Sequence, residues 1–166
     1  MITLIFYVIF IYILLVWIIT RIIVPHLGFM KSAIPEKVPT EFEIIIQDIN
    51  TQAKDNLDFL KKSYEYVTNQ YHGSRTLTVL HFWYAFQNPI LHKPGFLPCT
   101  GQNFLLRVML VKSGRFNYKE IEVKTIPLNL FIHQYLKVKV GNDWIDVDPW
   151  SYFLRKNLGQ KSAFVG

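Results

Sequence analysis

The chain has 166 residues and carries 18 Lys and Arg against 12 Asp and Glu, a formal charge of +6. This length predicts one globular domain. The 51% hydrophobic fraction excludes an intrinsically disordered chain, and the single cysteine excludes a disulfide-rich fold. The basic residues are scattered along the chain, so the positive charge does not indicate a nucleic-acid partner.

An apolar run occupies residues 2–20, without a charge, a glycine or a proline, and Arg21 follows it. A helix of that length spans roughly 28 Å, close to the thickness of the bilayer's hydrocarbon. A cleavable signal peptide is the competing interpretation, but it has a positive n-region and a shorter apolar core. Because only Met1 precedes the run and residues 22–24 extend it, we predict that residues 1–24 are an uncleaved transmembrane anchor, which contacts the bilayer through residues 2–24.

The charged residues beside the anchor indicate on which side of the membrane the rest of the chain lies. Arg21, Lys31 and Lys37 follow the run, and only the terminal amine precedes it. By the positive-inside rule this distribution favours a cytoplasmic C-terminal domain.

The next segments predict a linker followed by helices. Residues 25–39 hold three prolines and a glycine and are interpreted as a linker, with one domain at residues 40–166. Thr40 and Glu43 have the spacing of a capping box. Apolar residues then recur in steps of three and four as far as Tyr71, which predicts one long amphipathic helix or two joined ones packing on their own domain. A further helix with core aromatic residues is expected over 77–86.

Metal and cofactor sites are not expected. His72, His81 and His92 lack close Cys or carboxylate companions at a metal-binding spacing. The sequence also has no calcium-loop pattern. We therefore predict neither a metal nor a cofactor.

Cys99 is the first candidate for chemistry. A mostly apolar stretch follows it and ends at Gly114, which predicts a central, buried helix that begins near Cys99. The unpaired amides at a helix N-terminus favour thiolate over thiol and can donate hydrogen bonds to an oxyanion. A lone cysteine that only packs in the core is the alternative interpretation.

A β-hairpin is expected to bring His133 and Asp148 together. Residues 132–140 and 143–150 alternate in polarity, and Gly141-Asn142 between them is typical of a type II′ turn. With a two-residue loop, Val140 pairs with Asp143, and His133 and Asp148 become diagonal neighbours on one face. A carboxylate beside an imidazole can fix its tautomer and stabilise the imidazolium.

These three blocks resemble the transglutaminase-like superfamily of papain-like thiol enzymes. The resemblance rests on Cys99 opening a helix that ends in Gly114, on the strand led by His133, and on the Trp144-x-x-x-Asp148-Pro149 block. It implies an α+β fold with a papain/transglutaminase-like core, in which N-terminal helices and a central cysteine helix pack on a small antiparallel sheet behind the transmembrane helix.

The resemblance also implies the roles of the site residues. Cys99 would be the nucleophile, His133 the general base and then acid, and Asp148 the orienting carboxylate, with Asp146 in reserve. For the oxyanion, the backbone amide of Cys99 is preferred to the side chains of Trp83, Gln87 and Gln102.

The expected activity is hydrolysis or acyl transfer of an amide in a protein or peptide substrate, through a thioester on Cys99. Two other interpretations remain. One is a non-catalytic, membrane-tethered interaction module of the same fold, with residues 77–98 as its docking surface. The other is a small structural subunit of a membrane complex.

Overall fold

The computed structural model describes residues 2–128 and 131–162, and the remaining residues of the predicted domain lie outside the described part. The fold is α+β, as expected, with helices, two small sheets and an apolar N-terminal helix.

The N-terminal helix comprises an α-helix, Ile2–Ile13, a π-helical stretch, Leu14–Ile19, and a last α-helical turn, Thr20–Ile23. Its Thr3–Ile23 portion is long and apolar enough to cross a membrane, by length and composition, and none of it is buried inside the protein. Membrane anchors and signal sequences near an N-terminus both meet this description.

Two helices, Thr40–Gln52 and Asn56–Gln70, form the predicted amphipathic segment, so the alternative of two joined helices is the observed one. The break falls at Asp55, whose carboxylate caps the second helix by accepting a hydrogen bond from the amide of Asp58 at 2.8 Å. The capping box predicted at Thr40 and Glu43 was wrong. Pro39 is the N-cap and makes no side-chain cap, because the helix begins one residue earlier than the spacing implied and Thr40 is already helical.

The helix Cys99–Lys112, which we call the cysteine helix, lies at the centre of the domain. It packs against the two preceding helices and against the sheet, and residues 100–110 are all buried. Pro98 is its N-cap, and Gly114 follows its end with a φ of +75°, a conformation that glycine adopts without strain. The predicted limits and burial of this helix are confirmed.

Three antiparallel strands form the larger sheet in the order β3 (Ile121–Leu128), β4 (Phe131–Val140) and β5 (Asp143–Val147). Val140 pairs with Asp143 and Leu136 with Val147, so the register inferred from the turn is confirmed. Only Gly141 of the two turn residues has a positive φ, +62°, as a type II′ turn requires.

The segment between Gln70 and Cys99 differs from the prediction. It holds a two-stranded parallel sheet, β1 (Tyr71–His72) with β2 (Gly95–Phe96), a short helix, Arg75–Leu80, and 3₁₀ turns at Phe82–Phe86 and Pro89–Leu91. The expectation that its aromatic residues form core was wrong. Besides Leu91, five apolar side chains of this segment lie exposed close together in sequence, and we call them the collar: Val79, Leu80, Phe82, Trp83 and Phe86.

Residues 25–39 are irregular but lie against the domain. The ring of His26 stacks on Phe104 of the cysteine helix with centroids 3.9 Å apart. The backbone carbonyl of His26 also accepts a 2.8 Å hydrogen bond from Gln134 of β4. These contacts fix the end of the N-terminal helix relative to the centre of the domain.

Candidate active site

Cys99 is the first residue of the cysteine helix and is half-buried. The amide of Gln102 bonds to the carbonyl of Pro98 at 3.1 Å, which makes Pro98 the start of the helical ladder. The amides of Cys99 and of the next two residues therefore have no acceptor within the helix, as at every helix N-terminus. These donors lie at the same end of the helix as Cys99, where they favour negative charge on an oxygen bound beside it.

His133 lies in the first half of β4 and is only 1% exposed. Its Nε2 is 2.7 Å from Oδ2 of Asp148, and its side chain lines one recess together with Cys99. Because Nε2 faces the carboxylate, Nδ1 is the ring nitrogen left to pair with the sulfur. The structure thus brings the three predicted site residues together.

Asp148 is fully buried, and its carboxylate has donors on both oxygens. The amide of Ser151 donates to Oδ1 at 3.3 Å, and the amide of Ser162 donates to Oδ2 at 3.0 Å. These bonds replace the water that a carboxylate loses on burial and fix its orientation toward His133.

The electrostatics of the site favour a charged imidazole. Burial by itself lowers the pKa of His133, but the hydrogen bond with Asp148, the neighbouring thiol of Cys99 and the charges of both groups outweigh it and raise the pKa above its ordinary value. A thiolate and an imidazolium side by side are the ground state of a cysteine nucleophile activated by histidine. This arrangement can attack a carbonyl and then protonate a leaving amine.

Comparison of the chain with known protein families, with curated proteins and with solved structures finds no match.

Asp146, the reserve carboxylate, lies elsewhere. It pairs with Lys161 at 3.1 Å and faces Lys137 at 3.8 Å on a partly exposed surface. Strand alternation puts Asp146 and Asp148 on one face, but β5 ends at Val147, and the turn that starts at Pro149 directs Asp148 inward to the histidine.

The three side chains considered for the oxyanion are engaged away from Cys99. The Gln102 amide donates to the carbonyl of Leu97 at 2.8 Å, and the Gln87 oxygen lies 3.0 Å from a ring nitrogen of His92. Trp83 is largely exposed and stacks on His81. The backbone amide of Cys99 stays the preferred donor.

Sequence reasoning missed Trp150, which covers the imidazole of His133 with ring centroids 4.9 Å apart. Its indole is buried, and the nitrogen Nε1 finds no acceptor among residues 2–128 and 131–162. The signal was available, because an aromatic residue directly follows the Asp148-Pro149 pair. The hairpin register also counts Trp150 opposite His133, but β5 ends at Val147, so the ring reaches the imidazole from the turn that follows the strand.

Two cavities meet at Cys99. One has a volume of about 440 Å³ and lies between the domain and the N-terminal helix. The other, of about 70 Å³, is lined by Cys99, His133 and Trp150 together with Arg75 and Thr78. Cys99 therefore lines both a large groove and a small recess, and the small recess also contains His133.

A metal centre finds no support in the ranges that the structure describes. Across them, no group of three or more His, Cys, Asp or Glu side chains is arranged to hold a metal ion. The chemistry discussed below uses the thiol, the imidazole and the carboxylate.

Proposed function

We propose that this protein is a membrane-anchored thiol enzyme of the transglutaminase-like type, which cleaves or transfers an acyl group through a thioester on Cys99. The observation that carries the proposal is the position of His133, whose ring lies 2.7 Å from the buried carboxylate of Asp148 and lines the same recess as Cys99. Buried, charged groups in contact with a nucleophile beside a cavity are typical of catalytic sites.

In the proposed mechanism the Cys99 thiolate attacks the carbonyl carbon of an amide. The oxyanion that forms is stabilised by amides at the start of the cysteine helix. The C–N bond then breaks, and the amine leaves with a proton from His133, which gives the thioester. Water, or a second amine, next loses its proton to His133 and attacks the thioester, and the sulfur leaves as the thiolate. Asp148 keeps the imidazole in the tautomer that both steps need.

The membrane location is part of the same proposal. The apolar N-terminal helix would hold the domain at a bilayer as a single-pass anchor. Arg21, Lys31 and Lys37 favour placement of the domain on the cytoplasmic face. The substrate would be a protein or peptide amide that reaches the membrane surface.

Alkylation of Cys99 tests the proposal, because it is the only cysteine and every label reports this thiol. The full chain in detergent is treated with iodoacetamide, and the extent of labelling is followed by intact mass. We expect fast labelling at pH 6.5. His133→Gln should slow labelling by about tenfold or more at that pH, because the thiolate loses its imidazolium partner. The two rates should converge at pH 10, where even an ordinary thiol with a pKa of about 8.5 is ionised.

His72→Gln is the matched control, since His72 is an exposed residue of β1, and it should label at the wild-type rate. Circular dichroism of both variants checks that each is folded. Labelling that is slow at pH 6.5 and insensitive to His133 would contradict the proposal and favour the non-catalytic interaction module.

A further inference from the structure

The groove beside Cys99 is almost wholly hydrocarbon. Its walls carry aliphatic and aromatic side chains, among them Val16, Ile19 and Ile23 of the N-terminal helix and Phe82, Ala85 and Phe86 of the domain. Three threonines are in the wall. The hydroxyls of two are already used, since Thr20 donates to the carbonyl of Val16 and Thr78 to that of Ser74, and the third, Thr100, follows Cys99 in the cysteine helix. The groove therefore offers apolar surface and few hydrogen-bonding groups.

This composition discriminates between possible occupants. An extended peptide brings one N–H and one C=O per residue, and burying them without partners costs free energy. An alkyl chain has no such groups and gains from leaving water. The walls thus favour a hydrocarbon chain over a stretch of polypeptide.

The position of the groove indicates where such a chain comes from. One wall is the last two turns of the N-terminal helix, from Val16 to Ile23, a rise of about 10 Å. The opposite wall includes Phe82 and Phe86 of the exposed collar. If the helix spans a bilayer, the groove opens at the boundary between hydrocarbon and headgroups, where acyl chains are the surrounding solvent.

We propose that the acyl group transferred to Cys99 is a long hydrocarbon chain of a membrane-resident N-acyl amide, and that this chain lies in the groove between the N-terminal helix and the collar. The inference rests on the proposed function and names the substrate class of the same site. The carbonyl carbon is at the sulfur, the alkyl chain extends along the groove, and the amine side, which is the protein or peptide part of the substrate, faces away from it. The amide C–N bond breaks as the C–S bond forms, the amine leaves with the proton of His133, and water later releases the fatty acid.

Acylation by p-nitrophenyl esters of different chain length tests this assignment. The full chain in dodecyl maltoside micelles is given acetyl or dodecanoyl ester, and the acyl-enzyme at Cys99 is followed by intact mass and nitrophenolate release. Each methylene that leaves water favours binding by about fourfold. We therefore expect the dodecanoyl ester to acylate at least about 100-fold faster than the acetyl ester.

Partitioning of the longer ester into micelles would favour it equally in every variant, so matched variants isolate the groove. Ile19→Trp fills the groove from the N-terminal helix, whereas Ile18→Trp changes the adjacent residue, which does not line it. We expect Ile19→Trp to reduce the dodecanoyl-to-acetyl ratio by about tenfold or more, and Ile18→Trp to leave the ratio within about twofold. Ala85→Trp, which fills the groove from the domain side, should reduce the ratio as Ile19→Trp does.

The outcomes separate the two proposals. Acylation of Cys99 without a chain-length preference, or with a preference that Ile19→Trp and Ala85→Trp do not change, would overturn the hydrocarbon assignment and leave the thiol mechanism intact. No acylation by either ester would overturn both. A membrane-fraction protein whose intact mass lacks residues 2–23 would also overturn the assignment, because one wall of the groove would be missing.

Discussion

Asp148 is the residue on which the geometry of the site depends most. It is fully buried and next to a histidine whose pKa is raised, so the pair lies in a region from which water is excluded. Such a pair has a high desolvation penalty, and removing one partner leaves the other charge unpaired. Asp146, two residues earlier, makes its ion pairs at a partly exposed surface, where charge pairs contribute little.

These two carboxylates give a matched pair of variants for stability. At pH 6, Asp148→Asn should lower the free energy of unfolding by about 3–5 kcal/mol. Asp146→Asn should lower it by no more than about 1 kcal/mol. Because the folded state raises the pKa of His133, the stability from its charge is complete below its unfolded pKa of about 6.5 and is lost as pH rises through the folded value.

The difference between the two variants should therefore shrink between pH 6 and pH 9, as measured by urea unfolding. An equal loss of stability in both variants, or a difference that does not depend on pH, would mean that His133 and Asp148 do not form a charged pair.

At the scale of elements, the site depends on a close approach between two segments. The turn Pro149–Leu154 lies against the end of β1, and Gly73 lets the two backbones meet. A Cβ at Gly73 would lie 2.2 Å from the carbonyl oxygen of Trp150, a distance at which the backbone must move. Since Trp150 covers His133, this contact connects β1 to the imidazole.

Gly73→Ala should consequently destabilise the domain by about 1–3 kcal/mol and slow the alkylation of Cys99 at pH 6.5, because the Trp150 turn has to shift away from His133. Gly28→Ala is the control, since its Cβ would meet nothing closer than 3.6 Å. Thermal unfolding and iodoacetamide labelling measure both effects. Normal stability and labelling in Gly73→Ala would show that the close approach has no part in positioning the ring.

For the whole molecule, the apolar surface has two parts that share one groove. The N-terminal helix is the first, and the collar at residues 79–86 is the second. A contiguous exposed apolar area of this kind on a folded domain indicates a membrane or protein contact. Its continuity with the helix favours the membrane.

Removal of residues 1–24 should release the protein from alkaline-carbonate-resistant membranes, because it removes the one helix in the described chain that is long and apolar enough to cross a bilayer. The truncated domain should still bind phosphatidylcholine vesicles in a flotation assay, through the collar. Adding Phe82→Glu and Trp83→Glu should abolish that flotation, while Ile44→Glu, at an exposed apolar position outside the collar, should not. Flotation that survives the collar changes, or carbonate resistance that survives the truncation, would contradict the membrane placement.

Local patterns in the sequence predicted most of the elements around the site. The alternation along β4 and β5 and the glycine at position 141 defined the hairpin register, because a side-chain period of two and a positive φ are properties of the local chain. The apolar run ending at Gly114 defined the cysteine helix for the same reason. The segment at 71–98 was harder to predict, since short helical turns and two-residue strands leave almost no periodic signal.

The sequence by itself determined the hairpin, the helix that begins at Cys99 and an N-terminal helix apolar enough for a bilayer. Only the tertiary structure decided which carboxylate meets His133, which ring covers it, and that the collar is exposed beside the N-terminal helix. The physical reason is that periodicity assigns a residue to a face of its own element. Contact between sulfur, imidazole and carboxylate depends instead on how three elements pack, and that packing is set by the whole core.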